Sequence, residues 1–401
     1  MSKASTASSR GAVCMLLHGR FPMEVRVAAE VRAAVEAGFD VDVIALRGFD
    51  EEPEEVVEGA RVFRLPVLHE HGAGALGTAR EYIGFTLLAG IKAAALGLRR
   101  RYAIVQVHNP PDFLVLAALA PRLLGARIIL DVHDLAPDMF NMRFGGHRGA
   151  GVAELILRRI EGLAIRAADS VVTVHEPYRQ ELISRGALPG QVEVVLNSLD
   201  ERLLPPPEEG STNGCRVVYH GTVTPHYGVE LLIEAAAEAI TDVPELNVRI
   251  YGHGDSLAGV VDRAAELGIG EAVWVSARPL AQKDVLVAIR SASVGVVPNL
   301  PVRLNRFALS TKLFEYVALG IPVVSADLPT IRAYFSDDEV AYFRAGDASS
   351  LARTLVRTIQ DPDAAKARAA AARARYEAYR WPVNAARYTS VLQRAMRGRS
   401  G

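Results

Sequence analysis

The chain reads as an α/β protein built from two doubly wound, parallel-sheet domains, and three observations point there. Short apolar strand-like runs alternate with helix-like stretches along most of the length, the pattern of parallel strands covered by helices on both faces. One linker-like segment, residues 205–214 (P-P-P-E-E-G-S-T-N-G), interrupts that alternation. The two halves then open alike, since residues 14–19 and 215–221 are both apolar runs ending in His-Gly.

In the first half the strand candidates are residues 13–17, 41–46, 104–108, 127–131 and 170–174. The helices between them carry apolar residues at the 3.6-residue period, as in 25–37. In the second half the strands are 216–219, 247–251, 272–275, 294–297 and 323–326, with a helix at 229–239. Residues 364–374 form an Ala/Arg-rich helix and 381–396 a final amphipathic one. Ligands of such sheets bind beyond the carboxyl ends of the strands, so two facing domains would form an interdomain cleft from those ends.

A length of 401 residues suits two domains of ordinary size. Half the residues are hydrophobic and 23% are charged, as in a folded globular protein. A net charge of −1 argues against a general nucleic-acid binder. Only five of the 45 basic residues are lysines, a feature of composition rather than of function. Cys14 and Cys215 each head an apolar run and read as buried thiols, not as a disulfide. Residues 1–10 are polar and small with no signal-peptide core, so a cytoplasmic location is expected. Residues 82–98 are largely apolar and run into Arg99, Arg100 and Arg101, but three glycines and Lys92 interrupt them. Such a stretch, Tyr82 through Arg101, reads as a buried or surface-lying helix with a peripheral membrane contact as its functional alternative.

The most informative stretch is 310–324, S-T-K-L-F-E-Y-V-A-L-G-I-P-V-V. It predicts a helix starting at Ser310 or Thr311, stopping at Gly320, and a strand after Pro322. Lys312 and Glu315 are the only charges on an otherwise apolar helix. A helix N-terminus beside a lysine suits a phosphate, and a carboxylate one turn on suits the vicinal diol of a sugar. The alternative is a surface i,i+3 ion pair, and a capping box does not account for Glu315.

Strand ends supply the other candidates. Gly19 and Gly221 follow first strands, where glycine lets backbone approach a phosphate, and neither lies in a G-x-G-x-x-G fingerprint. Gly252 and Gly254 follow another strand and either border a nucleotide or mark a tight turn. Residues 107–113 and 130–135 place His108, Asn109, Asp112, Asp131, His133 and Asp134 at two more strand ends, with His133 the candidate for sugar contact or proton handling. Asp40 and Asp42 form an Asp-x-Asp, read as a turn acid and a solvent-facing acid rather than a metal site. No His-x-x-x-His or Cys-x-x-Cys pattern supports a bound zinc.

Taken together these segments resemble glycosyltransferase family 4, the retaining, nucleotide-sugar-dependent enzymes with the two-Rossmann-domain GT-B fold. The resemblance rests on residues 21–27, 107–113, 130–137, 196–198, 220–222 and 310–324, and on the Trp381 helix, which looks like the family's helix crossing back to the first domain. It implies an acceptor domain of residues 1–198 plus 380–401 and a nucleotide-sugar domain of 199–379. Glu315 would bind the ribose diol, Gly221 and Thr222 the diphosphate, and His133 the donor sugar. The segment from Gly252, with Arg278 and Leu280, would border the base. Donors and a helix dipole would stabilise the leaving diphosphate in place of a metal or other cofactor. Retention by same-face attack would need no carboxylate nucleophile.

Two departures from the family pattern stand out. Its two glutamates are separated by seven residues, and the position eight before Glu315 is Phe307. The basic pair after the Gly221 loop is also altered, so Lys312 would meet the diphosphate with Arg303, Arg306 or a protonated His226. His18, Glu24, Arg26, Asn109 and Asp134 are the expected surroundings of the sugar and of an acceptor that is a glycan, lipid-linked or small. The expected reaction is transfer from a UDP sugar, or alternatively a GDP sugar, to a hydroxyl in glycan, exopolysaccharide or glycoconjugate synthesis. A UDP-sugar 2-epimerase and a non-catalytic nucleotide-binding homologue partnering another transferase are the alternatives.

Overall fold

A computed structural model describes residues 10–67, 74–144, 149–206, 215–276, 278, 280–302, 305 and 307–397. The chain divides into two units, residues 1–197 with 382–401 and residues 198–381.

Unit 1 carries β1 (Ala12–Leu17), β2 (Asp40–Leu46), β3 (Glu54–Val57), β4 (Ala60–Leu65), β5 (Ile104–His108), β6 (Arg127–Val132), β7 (Ser170–Thr173) and β8 (Val192–Val194). They form one sheet in the order β3-β4-β2-β1-β5-β6-β7-β8, parallel except for β3 against β4. Its helices are α1 (Val25–Glu36), α2 (Ala75–Arg99), α3 (Leu119–Leu123), α4 (Ala136–Phe144), α5 (Ala150–Ala167) and α6 (Glu176–Ser184). The central strands read as unbroken apolar runs because both faces are covered, and β1 is buried along its whole length. Strands β3, β4 and β8 escape the sequence pattern, because the first is polar and exposed, the second is punctuated by arginines and the last has three residues.

Unit 2 carries β9 (Cys215–Thr222), β10 (Leu246–His253), β11 (Val273–Val275), β12 (Val294–Val297), β13 (Val323–Ala326) and β14 (Ala341–Phe343). All are parallel, in the order β11-β10-β9-β12-β13-β14. Helices α7 (Val229–Ala239), α8 (Leu257–Glu266), α9 (Gln282–Ile289), α10 (Thr311–Ala318), α11 (Pro329–Arg332), α12 (Ala348–Gln360) and α13 (Pro362–Tyr376) follow in chain order. The last helix, α14 (Trp381–Arg397), packs into unit 1. There the Tyr388 hydroxyl donates to Gln106 Oε1 at 2.6 Å, and Asn384 Oδ1 accepts from Leu196 N at 3.0 Å.

Strand order reverses between β1 and β5 in unit 1 and between β9 and β12 in unit 2. A crevice opens at such switch points, so the residues just past β1, β5, β9 and β12 are where each unit exposes polar backbone and side chains to a ligand.

One expectation needs correction. Asp42 does not face solvent: it is fully buried, accepts a bidentate pair from Arg61 at 2.8 and 2.7 Å, and takes the Tyr102 hydroxyl at 2.6 Å. Of the two placements expected for residues 82–98, helix α2 takes the surface-lying one. Phe85, Ala89, Ala93 and Gly97, four residues apart, form its packed stripe, while Ile83, Leu87, Ile91 and Leu98 are exposed. It is long and apolar enough to cross a membrane by length and composition. Both cysteines are free and buried.

Candidate functional site

In unit 2 the end of β9 and the first turn of α10 come together. Strand β9 runs on through His220, Gly221 and Thr222, pairing with Tyr251, Gly252 and His253 of β10. Gly221 has φ of +106°, which bends the strand end in a way a side chain would resist. A Cβ there would lie 3.3 Å from Lys312 Nζ, so the lysine reaches across the strand tip. Lys312 Nζ also stands 4.5 Å from the Tyr227 ring centre and 5.1 Å from that of Tyr219. Cation–π attraction to two rings steadies an ammonium that lacks an ion pair among the described residues. Its residue is only 8% exposed, and burial lowers its pKa to about 8 against the opposing pull of Glu315.

Glu315, one turn on, points elsewhere. Its Oε1 accepts from Gln282 Nε2 at 3.0 Å, and its Oε2 lies 3.2 Å from His220 Nε2. At 6% exposure, burial pushes the carboxyl up to about 7. His220 is held down to about 3 by burial and then by Lys312, so it is a neutral imidazole at this carboxylate. The surface ion-pair alternative therefore fails, because both residues are buried and no Lys312–Glu315 pair forms among the described residues. Ser310 has the extended cap backbone, but its Oγ caps no amide of α10 and is buried without a hydrogen-bond partner among the described residues. Thr311 is exposed beside it.

The remaining unit 2 candidates divide. Gly252 and Gly254 are needed for backbone packing: a Cβ on either would lie 2.2 Å from a carbonyl oxygen, of Gly221 and Val223 respectively. They hold the strand tip against the end of β9, as a tight turn requires. Thr222 is exposed. Burial and then Lys312 lower the His226 pKa, which works against the expected positive charge. Its carbonyl accepts from Asn305 Nδ2 at 2.6 Å, tying the 305 loop to the strand tip. Arg278 is exposed and Leu280 half-buried beyond β11. Arg303 and Arg306 lie outside the described residues.

In unit 1, Asp131 at the end of β6 is the hub. Arg26 grips it with Nε to Oδ2 at 3.0 Å and Nη2 to Oδ1 at 2.8 Å. His133 Nε2 stands 2.9 Å and His108 Nδ1 3.1 Å from the same Oδ2. The Arg26 charge holds the Asp131 carboxyl well below its ordinary range, against the opposing cost of its burial. Glu30, its Oε1 3.1 Å from Arg26 Nη2 and its Oε2 accepting from Gln106 at 2.7 Å, is instead raised by burial and by Asp131. Arg26 thus lies between two buried carboxyls, held by both oxygens of Asp131 and by one of Glu30. Arg26 is correspondingly not a substrate contact: its Nη1 is spent on Val195 O at 2.6 Å and Asn197 Oδ1 at 2.9 Å.

Asn109 is likewise a positioning residue rather than a substrate ligand. Its Nδ2 donates to Asp112 Oδ1 and to the Asp134 carbonyl, both at 2.8 Å, and its Oδ1 accepts from His133 N at 2.7 Å. It fixes the β6 tip so that the His133 imidazole stays partly open. The Asp134 carboxyl is raised by burial. His18 packs edge-on against Tyr82 and Phe85, with Nε2 3.0 Å from Glu81. Glu24 is exposed and folds over Gly19, where a Cβ would meet its Cγ at 3.1 Å. His108, Asp131 and His133 place metal-type donor atoms within 4.8 Å of one another. Because Arg26 already occupies both Asp131 oxygens, that set does not fit a cation.

Sequence reasoning assigned no role to Gln282, Tyr219, Glu30, Gln106 and Tyr388. Gln282, Glu30 and Gln106 find their partners on distant elements, a signal no local motif collects.

Two parallel-sheet α/β units with polar groups gathered at their switch points define a GT-B protein. A family model for a Glycosyl transferase 4-like domain matches residues 23–198, and one for Glycosyl transferases group 1 matches residues 214–361. The chain belongs to glycosyltransferase family 4. It is similar to the phosphatidyl-myo-inositol mannosyltransferase of Mycobacterium tuberculosis, 28% identical over 51% of this chain and 53% of that one. The matched part spans about half the length of the first curated relatives. Among solved structures, sucrose-phosphate synthase from Thermosynechococcus elongatus superposes with a TM-score of 0.73 at 18% identity, covering 97% of this chain and 100% of that one. The Anabaena protein HepE, solved in complex with UDP-glucose, gives 0.69 at 14% identity over 96% and 99%. At those identities the likeness is one of fold.

Proposed function

We propose that the chain is a metal-independent, retaining hexosyltransferase that moves a sugar from a nucleoside-diphosphate sugar, UDP favoured, to an acceptor hydroxyl in glycan or glycoconjugate synthesis. The observation that carries this is the divergence of Lys312 and Glu315 from one helical turn. The ammonium covers the Gly221 strand tip and the carboxylate faces His220 and Gln282. A diphosphate at the tip would meet Lys312, the buried Ser310 hydroxyl and the first amides of α10, a concentration of positive potential. The Glu315 carboxylate would accept both hydrogens of the ribose diol. Charge developing on the departing diphosphate is then met by preorganised donors, where each lost donor costs about 2.7–4 kcal/mol of barrier. In unit 1 the partly open His133 is the group for contact with the transferred sugar, oriented by Asp131 and Asn109.

Phe307 stands where the family pattern has its first glutamate, and the altered basic pair after the Gly221 loop leaves Lys312 to meet the donor's charge. Work at the inner face of a membrane belongs to the same proposal, supported by the exposed Ile83, Leu87, Ile91 and Leu98 and the arginines that follow.

The test is incubation with a panel of nucleotide sugars, reading release of the free nucleoside diphosphate. Release that vanishes in Glu315→Ala and Lys312→Ala is the expected result. Failure of every donor to bind leaves a non-catalytic homologue, and a free epimerised nucleotide sugar makes the protein an epimerase.

A further inference from the structure

Glu315 is buried with both carboxylate oxygens engaged. Its Oε2 lies 3.2 Å from Nε2 of the buried His220, and its Oε1 accepts from Gln282 Nε2 at 3.0 Å. Gln282 differs from the other two: it is the first residue of α9, and it is exposed. The way from solvent to the carboxylate therefore leads past the Gln282 side chain. An exposed glutamine loses rotamer freedom on fixing one contact, and a charged acceptor is what offsets that loss. Without the amide, a mostly buried carboxylate would keep a poorly solvated oxygen whenever no ligand is bound. A vicinal diol needs that same acceptor, since its two hydroxyls donate to the oxygens of one carboxylate. At 6% exposure Glu315 offers little open surface besides the place the amide takes. The diol reaches the carboxylate where the amide now stands.

We propose that Gln282 stands in for the ribose in the free protein, and that a nucleotide enters by displacing its amide from Glu315 Oε1. The inference deepens the transferase reading and rests on it for the identity of the ligand. Gln282 is then a determinant of which nucleotides bind. A ribose with both hydroxyls replaces the bond it breaks, whereas a ligand that broke the bond and brought no hydroxyl would leave the carboxylate unmet. A glutamine that merely aimed Glu315 at the ribose would act with the opposite sign, because its removal would weaken nucleotide binding.

The test is calorimetric titration of the full chain with UDP and with 2′,3′-dideoxy-UDP, which keeps the base and diphosphate and lacks the diol. Gln282→Ala suits the first turn of a helix, and Gln282→Met keeps the side-chain length without a donor. Both variants are expected to bind UDP about fivefold more tightly than the unaltered chain, the value of one hydrogen bond that no longer has to be broken. Their affinity for the dideoxy nucleotide should be unchanged. In a proton–nitrogen NMR spectrum the Gln282 side-chain amide, assigned by its loss in Gln282→Ala, should shift on addition of UDP and stay in place with the dideoxy nucleotide. Circular dichroism shows that each variant is folded. UDP affinity that is unchanged or lowered in both variants overturns the proposal. So does equal tightening of the two nucleotides, or an amide signal indifferent to UDP. UDP bound equally by all three proteins sinks this inference and leaves the transferase. No binding of either nucleotide to any of them sinks the transferase and the inference together.

Discussion

Lys312 Nζ lies 3.3 Å from the point where a side chain on Gly221 would begin, and Gly221 holds a φ of +106° there. The strand tip and the ammonium are therefore one unit: the glycine makes room, and the lysine fills it. Gly221→Ala should cost stability twice, through backbone strain of about 1–3 kcal/mol and through displacement of the ammonium. UDP affinity should fall at least tenfold, read by calorimetry. Retained affinity would mean that the lysine does not meet the diphosphate.

Donor binding should have a bell-shaped pH dependence. Glu315 titrates at about 7 and Lys312 at about 8 in the free protein. A diol-binding carboxylate is wanted above the first value and a phosphate-binding ammonium below the second, so UDP affinity should peak between them. It should fall about tenfold for each pH unit on either side. Calorimetry from pH 5.5 to 9.5 checks this, and a flat profile would exclude one of the two roles.

Glu315→Gln should trade function for stability. The native carboxyl is raised from 4.5 to about 7, so its stabilisation is fully present below pH 4.5 and is lost as pH rises through 7. Removing the charge should therefore stabilise the fold by about 3 kcal/mol more at pH 8 than at pH 4.5. Thermal melts at the two pH values measure the difference, which should accompany loss of nucleotide release.

Arg26→Met leaves Asp131 buried with its charge unpaired. Breaking a buried pair of this kind costs about 3–5 kcal/mol. The urea midpoint of the earliest unfolding transition should drop, and Arg26→Lys should recover only part because it cannot bind both oxygens.

Membrane contact through α2 is checked by co-sedimentation with anionic vesicles. Replacing Leu87 and Ile91 with Ser should halve the bound fraction or more, since each exposed side chain contributes about 1.5–3 kcal/mol when buried in the interface. Equal sedimentation of the variant would confine the exposed stripe to some other use.

Much of the scaffold is legible by eye because parallel strands buried on both faces cannot hide. Residues 104–108, 294–297 and 323–326 are strands with the expected bounds, and helix α7 matches 229–239. The helix of 310–324 is legible too, since Ser310 and Gly320 punctuate an apolar run. Strand β3 is not, because Glu54 and Glu55 sit on an exposed sheet edge where polar residues carry no burial signal.

The sequence by itself determined the alternation of elements, the two halves and the identity of the strand-end groups, because periodicity and turn chemistry are local. Only the tertiary structure decided what those groups do to one another. Asp131 meets Arg26 across 105 positions, and Glu315 meets Gln282 across 33 and His220 at the end of β9. Whether Lys312 pairs with Glu315 or turns to Gly221 depends on burial and distance, and no spacing along the chain encodes either.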